Sequence, residues 1–172
     1  MKKTNKLKSE REKATFAAGC FWRIQEMFDK VPGVVKTIVG YTGGKEEYKN
    51  PSYEEVCSDV AGHAEAIEIE FDTKKINYEK LLELFWRCHN PTTLNRQGHD
   101  VGSQYRPVVF YHNEKQKKLA EKSKKKAQKN FEKHIVTKIV KAGEFYPAEE
   151  YHQKYYKTHR ISCPVVDLKE LG

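Results

Sequence analysis

Residues 14 to 30 read ATFAAGCFWRIQEMFDK. The small apolar run at 14–18 predicts a short buried strand, and it runs straight into Gly19 and Cys20. Behind the cysteine, Ile24, Met27 and Phe28 recur at helical spacing, until Pro32-Gly33 stops the pattern. The chain thus opens on a strand that turns into a helix, with a lone thiol at the turn and two large aromatics, Phe21 and Trp22, directly behind it.

Working outward, VVKTIVGY (34–41) alternates as a strand. Ser52-Tyr53-Glu54-Glu55 is a capping-box pattern for a short helix carrying Tyr53 and Cys57. HAEAIEIEFD (63–72) alternates cleanly, and Asn77 caps a helix through LLELFWRCH. NPTTLNRQGHDVGSQ (90–104) is a long loop without periodicity, and such loops in compact domains usually carry function. YRPVVFYH (105–112) reads as a strand whose Pro107 suggests an edge or a bulge. A lysine-rich helix follows, then IVTKIV as a last strand, a final helix opened by Pro147, and the tail RISCPVVDLKELG with Cys163. Strands and helices mix without a strict βαβ rhythm and without an internal repeat. The fold class is α+β, one domain with a sheet packed against helices.

Composition narrows the function. Of 172 residues 38% are hydrophobic and 33% charged, which suits a soluble globular chain with one core, and no apolar run is long enough for a membrane span. The opening MKKTNKLKSEREK (1–13) lacks an apolar segment after its charges, so it reads as a flexible basic arm rather than a secretory signal. The net charge of +8 is concentrated in that arm and in residues 114–133. The second run could mark a module that binds nucleic acid or an acidic surface. No nucleic-acid motif accompanies it, and a solvated helix with Leu119, Ala120, Ala127 and Phe131 packed inward explains it better.

Cys20, Cys57, Cys88 and Cys163 form no CxxC pair, and the histidines lack metal spacing. His63-Ala64-Glu65 begins a zinc-deaminase signature, but the later P-C-x-x-C is missing. Neither metal nor cofactor is expected. A cytoplasmic, reducing setting follows, in which cysteines cycle rather than staple.

Two residues stand out chemically. At a helix N-terminus the unpaired N–H groups favour an anion, so the Cys20 thiol is expected to ionise more readily than an ordinary cysteine. In HAEAIEIEF the alternation puts Glu65 on the apolar face with Ile67, Ile69 and Phe71, while Glu68 and Glu70 face water. A carboxyl on the buried face is expected to hold its proton and serve as a general acid; the alternative is a strand-end carboxylate that escapes to solvent or meets an arginine. Phe21 and Trp22 could wall a small apolar pocket. Tyr53 and Tyr105 could donate hydrogen bonds, though the residues alone do not select them.

Together, GCFWRIQEMFDKVPGVVKTIVGYTGG, YEEVCSDVAGHAEAIEIEFD (53–72), HNPTTLNRQGHDVGSQYRPVVFYHNEKQK (89–117), PAEEYHQKYY and SCPV resemble, in order, the class A methionine sulfoxide reductases. The resemblance spans about residues 14–167. It implies a two-layer mixed sheet packed against helices, a ferredoxin-like core with a long C-terminal tail, and a single catalytic domain over 14–172. It implies that Cys20 attacks the sulfoxide sulfur, that Glu65 protonates the oxygen, and that Tyr53 and Tyr105 hydrogen-bond that oxygen. Phe21 and Trp22 would hold the substrate methyl and Asp100 would line the site. Substrates would be the S epimer of methionine sulfoxide, free or in proteins. Cys163 would resolve the Cys20 sulfenic acid as a disulfide that thioredoxin reduces, in a monomer with neither membrane nor nucleic acid as partner. The family's usual glycine after the tryptophan is Arg23 here. Cys57 rivals Cys163 as resolving thiol, but reads, like Cys88, as packed core. A different thiol enzyme, such as a peroxidase, is the remaining class; it would not need the methyl pocket.

Overall fold

The computed structural model describes residues 10–160. Cys163 and residues 1–9 of the basic arm lie outside the described residues. Strand β1 (Arg11–Ala17) leads into helix α1 (Phe21–Asp29), β2 (Val34–Thr42), the short α2 (Tyr53–Cys57), β3 (Ala64–Asp72) and α3 (Tyr78–Arg87). A two-residue hairpin pair, β4 (Arg96–Gln97) and β5 (Asp100–Val101), and a 3-10 turn at Ser103–Tyr105 precede β6 (Val108–Tyr111). Helix α4 (Glu114–Gln128), β7 (Lys138–Lys141), β8 (Tyr146–Pro147), a 3-10 turn at Glu150–His152 and α5 (Tyr155–Thr158) complete the order.

Among the described residues, six strands form one mixed sheet in the order β7-β6-β1-β3-β2-β8, antiparallel except for the β6–β7 pair. This is the expected α+β layering. The sheet's parity decides everything on it. Ala14, Phe16, Ile67, Ile69 and Phe71 meet Phe21, Ile24 and Phe28 of α1 and Leu81, Leu82 and Phe85 of α3 in the main core. The opposite parity, Ala17, Ala64, Ala66, Val108 and Phe110, forms a smaller cluster with Ala142 and Phe145.

Where side-chain chemistry sets a helix start, the sequence reading holds. The capping box is complete, with Ser52 accepting from Glu55 N and Glu55 accepting from Ser52 N. Asn77 accepts from Lys80 N at 2.8 Å. Helix α4 turns Ala120 and Ala127 inward and packs Leu119 against the core, with Phe131 beyond its end doing the same. Most of its lysines face out, while Lys124 is half-buried and donates to Thr137 O.

Four expectations are corrected. The arm read as 1–13 ends sooner, because Arg11 and Lys13 pair with Glu70 and Glu68 across β3 and draw residues 11–13 into β1. Pro107 precedes a strand that is not an edge; β6 lies between β1 and β7. The strand read at 135–140 starts at Lys138 and is not the last, since β8 follows it. The final helix is not continuous: Pro147 pairs in β8, and the stretch breaks into the 3-10 turn and α5. The break has a physical cause. Gln153 exchanges hydrogen bonds with both backbone groups of Val39, and Lys154 N donates to Gln25 Oε1 at 2.7 Å with Lys154 in the left-handed region. These anchors hold the chain to the sheet edge more strongly than helix propensity holds it in register.

Candidate active site

Gly19 makes the turn. Its φ of +88° suits glycine, and an added Cβ would sit 2.7 Å from Gln97 Cγ. Gln97 itself is tied down, accepting from Asn90 N and donating to Asn90 O at 2.6 Å. Gly19→Ala should therefore destabilise the fold by about 1–3 kcal/mol, read as a lower urea midpoint with unchanged slope.

Cys20 is the N-cap residue of α1, partly exposed, as the strand–turn–helix reading placed it. Its ionisation runs against expectation. Burial pushes the thiol up to about 11, and the nearby Glu65 and Asp100 charges add to this. The backbone N–H groups of Trp22 and Arg23 do pull it down, as a helix start should, but desolvation is the larger effect. Position in the sequence shows the helix terminus; it does not show how dry the terminus is.

Glu65 is on the helix-facing side of β3, opposite Tyr41 of β2, and only 2% exposed. Its Oε1 accepts from Phe21 N at 3.3 Å, so the carboxyl lies at the N-terminus of the same helix that carries Cys20. Neither solvent nor an arginine takes it up. Burial raises its pKa to about 8, Asp100 adding and the Phe21 hydrogen bond opposing. Glu68 and Glu70, on the other parity, meet Lys13 and Arg11.

The other candidates converge here. Tyr105 is raised to about 12, first by burial and then by the charges of Glu65, Asp100, Cys57 and Cys20. Tyr53, at the start of α2, is raised by burial, by a hydrogen bond with the Cys57 thiol and by Glu65. Asp100 is exposed on β5, close enough to act on Cys20, Glu65 and Tyr105 together. Trp22 is half-buried, its indole stacked on Tyr155 at 3.7 Å and 5°. Phe21 presents little surface, being 2% exposed against Tyr41 and His152. A groove of about 960 Å³ runs past Cys20 and Trp22 to Gln97, Asp100 and Tyr156.

The sequence profile of the family described as Peptide methionine sulfoxide reductase matches residues 12–170. The chain belongs to this family. It is 56% identical over 148 residues to the peptide methionine sulfoxide reductase MsrA of Methanosarcina acetivorans, covering 85% of this chain and 78% of that protein. The crystal structure of reduced Mxr1 from Saccharomyces cerevisiae superposes with a TM-score of 0.85 at 36% identity, covering 90% of each chain. Mxr1 in complex with Trx2 gives a TM-score of 0.61 at 27% identity, covering 90% of this chain and 87% of that one.

Within that family frame, two cysteines separate. Cys88 is buried, as read, donating to Phe85 O at 3.2 Å, and burial drives its thiol up to about 12. Cys57 is not packed core. It ends the five-residue α2 exposed, one helical turn from Tyr53. A helix of that length has no amphipathic stripe that could bury it. Arg23 neither reaches for the thiol nor points freely to water: its guanidinium donates to Cys88 O at 2.8 Å, at the C-terminal end of α3.

Sequence reasoning missed Glu149 and His152, both in the segment read as a plain helix. Glu149 Oε1 accepts from Tyr53 N and Oε2 from Tyr41 OH, each at 2.9 Å. His152 Nδ1 accepts from Trp22 Nε1 at 2.8 Å. The available signal was the crowding of acid, histidine and glutamine just after Pro147, a composition suited to side-chain anchoring.

Proposed function

We propose that this chain reduces the S epimer of methionine sulfoxide to methionine, with Cys20 as nucleophile and Glu65 as acid. The observation that carries the reading is the buried Glu65 carboxyl on the N–H of Phe21, the residue next to Cys20. With Glu65 at about 8 and Cys20 at about 11, the resting pair holds both protons at neutral pH. Each ionised group would repel the other, so a proton leaves one only as the other keeps its own.

The chemistry balances on that pair. Glu65 gives its proton to the sulfoxide oxygen as the Cys20 sulfur bonds to the sulfoxide sulfur, and the thiol proton restores the Glu65 carboxyl. The S–O bond and the new S–S bond then break as the hydroxyl passes to the Cys20 sulfur, and methionine leaves with the electron pair. The sulfoxide is reduced by two electrons and Cys20 is oxidised to a sulfenic acid. Tyr53 and Tyr105, both kept protonated, supply further donors to the oxygen. Trp22, with the edge of Phe21, offers the apolar wall for the methyl, and Asp100 lines the opening. Handedness follows from one greasy side and one donor side.

A second thiol must then attack the sulfenic sulfur, releasing water and forming a disulfide. Cys163 is our choice, and residues 14–172 act as one catalytic unit with it. It stands three positions beyond Arg160, a chain reach of at most about 11 Å. Exposed Cys57 beside Tyr53 is the competing thiol. The Trx2 complex of the related Mxr1 supports a thioredoxin as reductant, and free thiols at Cys20, Cys57 and Cys88 suit a cytoplasmic setting. The test is one equivalent of each epimer followed by thiol counting and peptide mapping. Loss of two thiols with the S epimer only, and a Cys20–Cys163 bond, is expected; a Cys20–Cys57 bond would move the resolving role, and no methionine from either epimer would end the reductase reading.

The pH profile follows from the sign of the Glu65 shift. The acid works only while protonated, and its raised pKa keeps it so through neutrality. The first-turnover rate at saturating substrate should be level from neutrality up to about pH 8 and fall about tenfold per unit above.

A further inference from the structure

We propose that His152 is a positioning residue: its neutral ring, protonated on Nε2, pins the Trp22 indole in place as the wall of the sulfoxide pocket, and protonation of the ring releases that wall. The proposal rests on the reductase reading above. Trp22 Nε1 has a hydrogen, and its lone pair belongs to the aromatic ring, so at 2.8 Å from His152 Nδ1 it can only donate. Nδ1 must accept, which leaves the single proton of the neutral ring on Nε2. Nε2 lies 3.3 Å from Glu149 Oε2 without the alignment of a hydrogen bond. The indole is thus held at its edge by His152 and on its face by Tyr155.

The surroundings make the ring sensitive. His152 is 1% exposed. From its own turn it meets Tyr151, with ring centroids 4.1 Å apart, and Glu149. From α2 it meets Tyr53 at 4.7 Å, and from α1 the uncharged Phe21 and Trp22 at 5.2 and 5.6 Å. Tyr41 of β2 reaches it only through the Glu149 carboxylate. Burial lowers its pKa below the ordinary histidine value and Glu149 opposes, burial being the larger. A second proton would sit on Nδ1, facing the Trp22 N–H donor to donor, so the hydrogen bond cannot survive it. Below the histidine's lowered pKa the indole is freed, and a pocket wall that must be ordered on binding costs affinity.

The experiment is single-turnover methionine formation from free L-methionine S-sulfoxide between about pH 4 and 9, reading limiting rate and half-saturating concentration separately. Wild type should show half-saturation rising about tenfold at the acid end, with the limiting rate less affected. In His152→Asn, the amide oxygen can accept from Trp22 and never charges. It should stay within about threefold of wild type at neutral pH and lose the acid limb, while the fall above about 8 remains. His152→Phe should raise half-saturation about tenfold at every pH, and add nothing in a Trp22→Phe background. An acid limb that persists in His152→Asn, or a His152→Phe effect that adds fully to Trp22→Phe, would overturn the proposal. Wild type that makes no methionine at any pH overturns the reductase reading itself.

Discussion

Cys20→Ser releases no methionine from either epimer, a loss of at least about 10⁴-fold in the first turnover. A serine hydroxyl is a far weaker nucleophile toward sulfur and cannot accept oxygen as a sulfenic acid does. The N-cap geometry tolerates serine well, so the fold should persist and the loss is chemical. The control lies in the companion variants. Cys88→Ser keeps the first turnover, because the Cys88 thiol, although Cys88 lines the same groove, is buried and spent on Phe85 O. Cys163→Ser keeps it too and leaves an oxidised Cys20. Mass spectrometry of the protein with released methionine counted beside it reads all three. Methionine formed by Cys20→Ser would remove the nucleophile from the mechanism.

Glu65→Gln is the second large effect, about 10²–10⁴-fold on the first-turnover rate with little change in half-saturation. Glutamine fills the same space and can still accept from Phe21 N, so the α1 terminus keeps its hydrogen bond. What it cannot do is give up a proton and take one back. The variant's rate should also stop falling above about pH 8, because the group responsible for that fall is gone. A residual fall at the same pH would assign that limb to another residue.

The α1 turn, the β3 alternation and both Ser52 and Asn77 caps were legible because local chemistry decides them: spacing, a cap hydroxyl, a face. Glu65 was legible for the same reason, since the rest of its parity on β3, Ile67, Ile69 and Phe71, is apolar. Three other features were not. The Cys20 thiol is harder to ionise than its helix-terminal place suggests, because burial and the charges of the sequence-distant Glu65 and Asp100 outweigh the helix terminus. Cys57 is exposed although Val56 beside it is fully buried, and five residues of helix carry too little pattern to say which neighbour points inward. The Glu149–His152 anchor replaces a helix whose residues have ordinary helix propensity. Its partners, Tyr41, Tyr53 and Trp22, are some 96 to 130 residues away in sequence, and no local window contains them.

The two tryptophans stand in different settings. Trp86 is 5% exposed, bonded to Ser123 Oγ at 2.6 Å between α3 and α4. Trp22 lines the groove beside Cys20, against an imidazole and a phenol. Indole emission is sensitive to such neighbours, so the chain carries its own optical probe of the pocket and, in Trp86, a steady internal reference. With Trp86 replaced by phenylalanine, light from the remaining indole reports on the pocket wall, turnover by turnover, without any label.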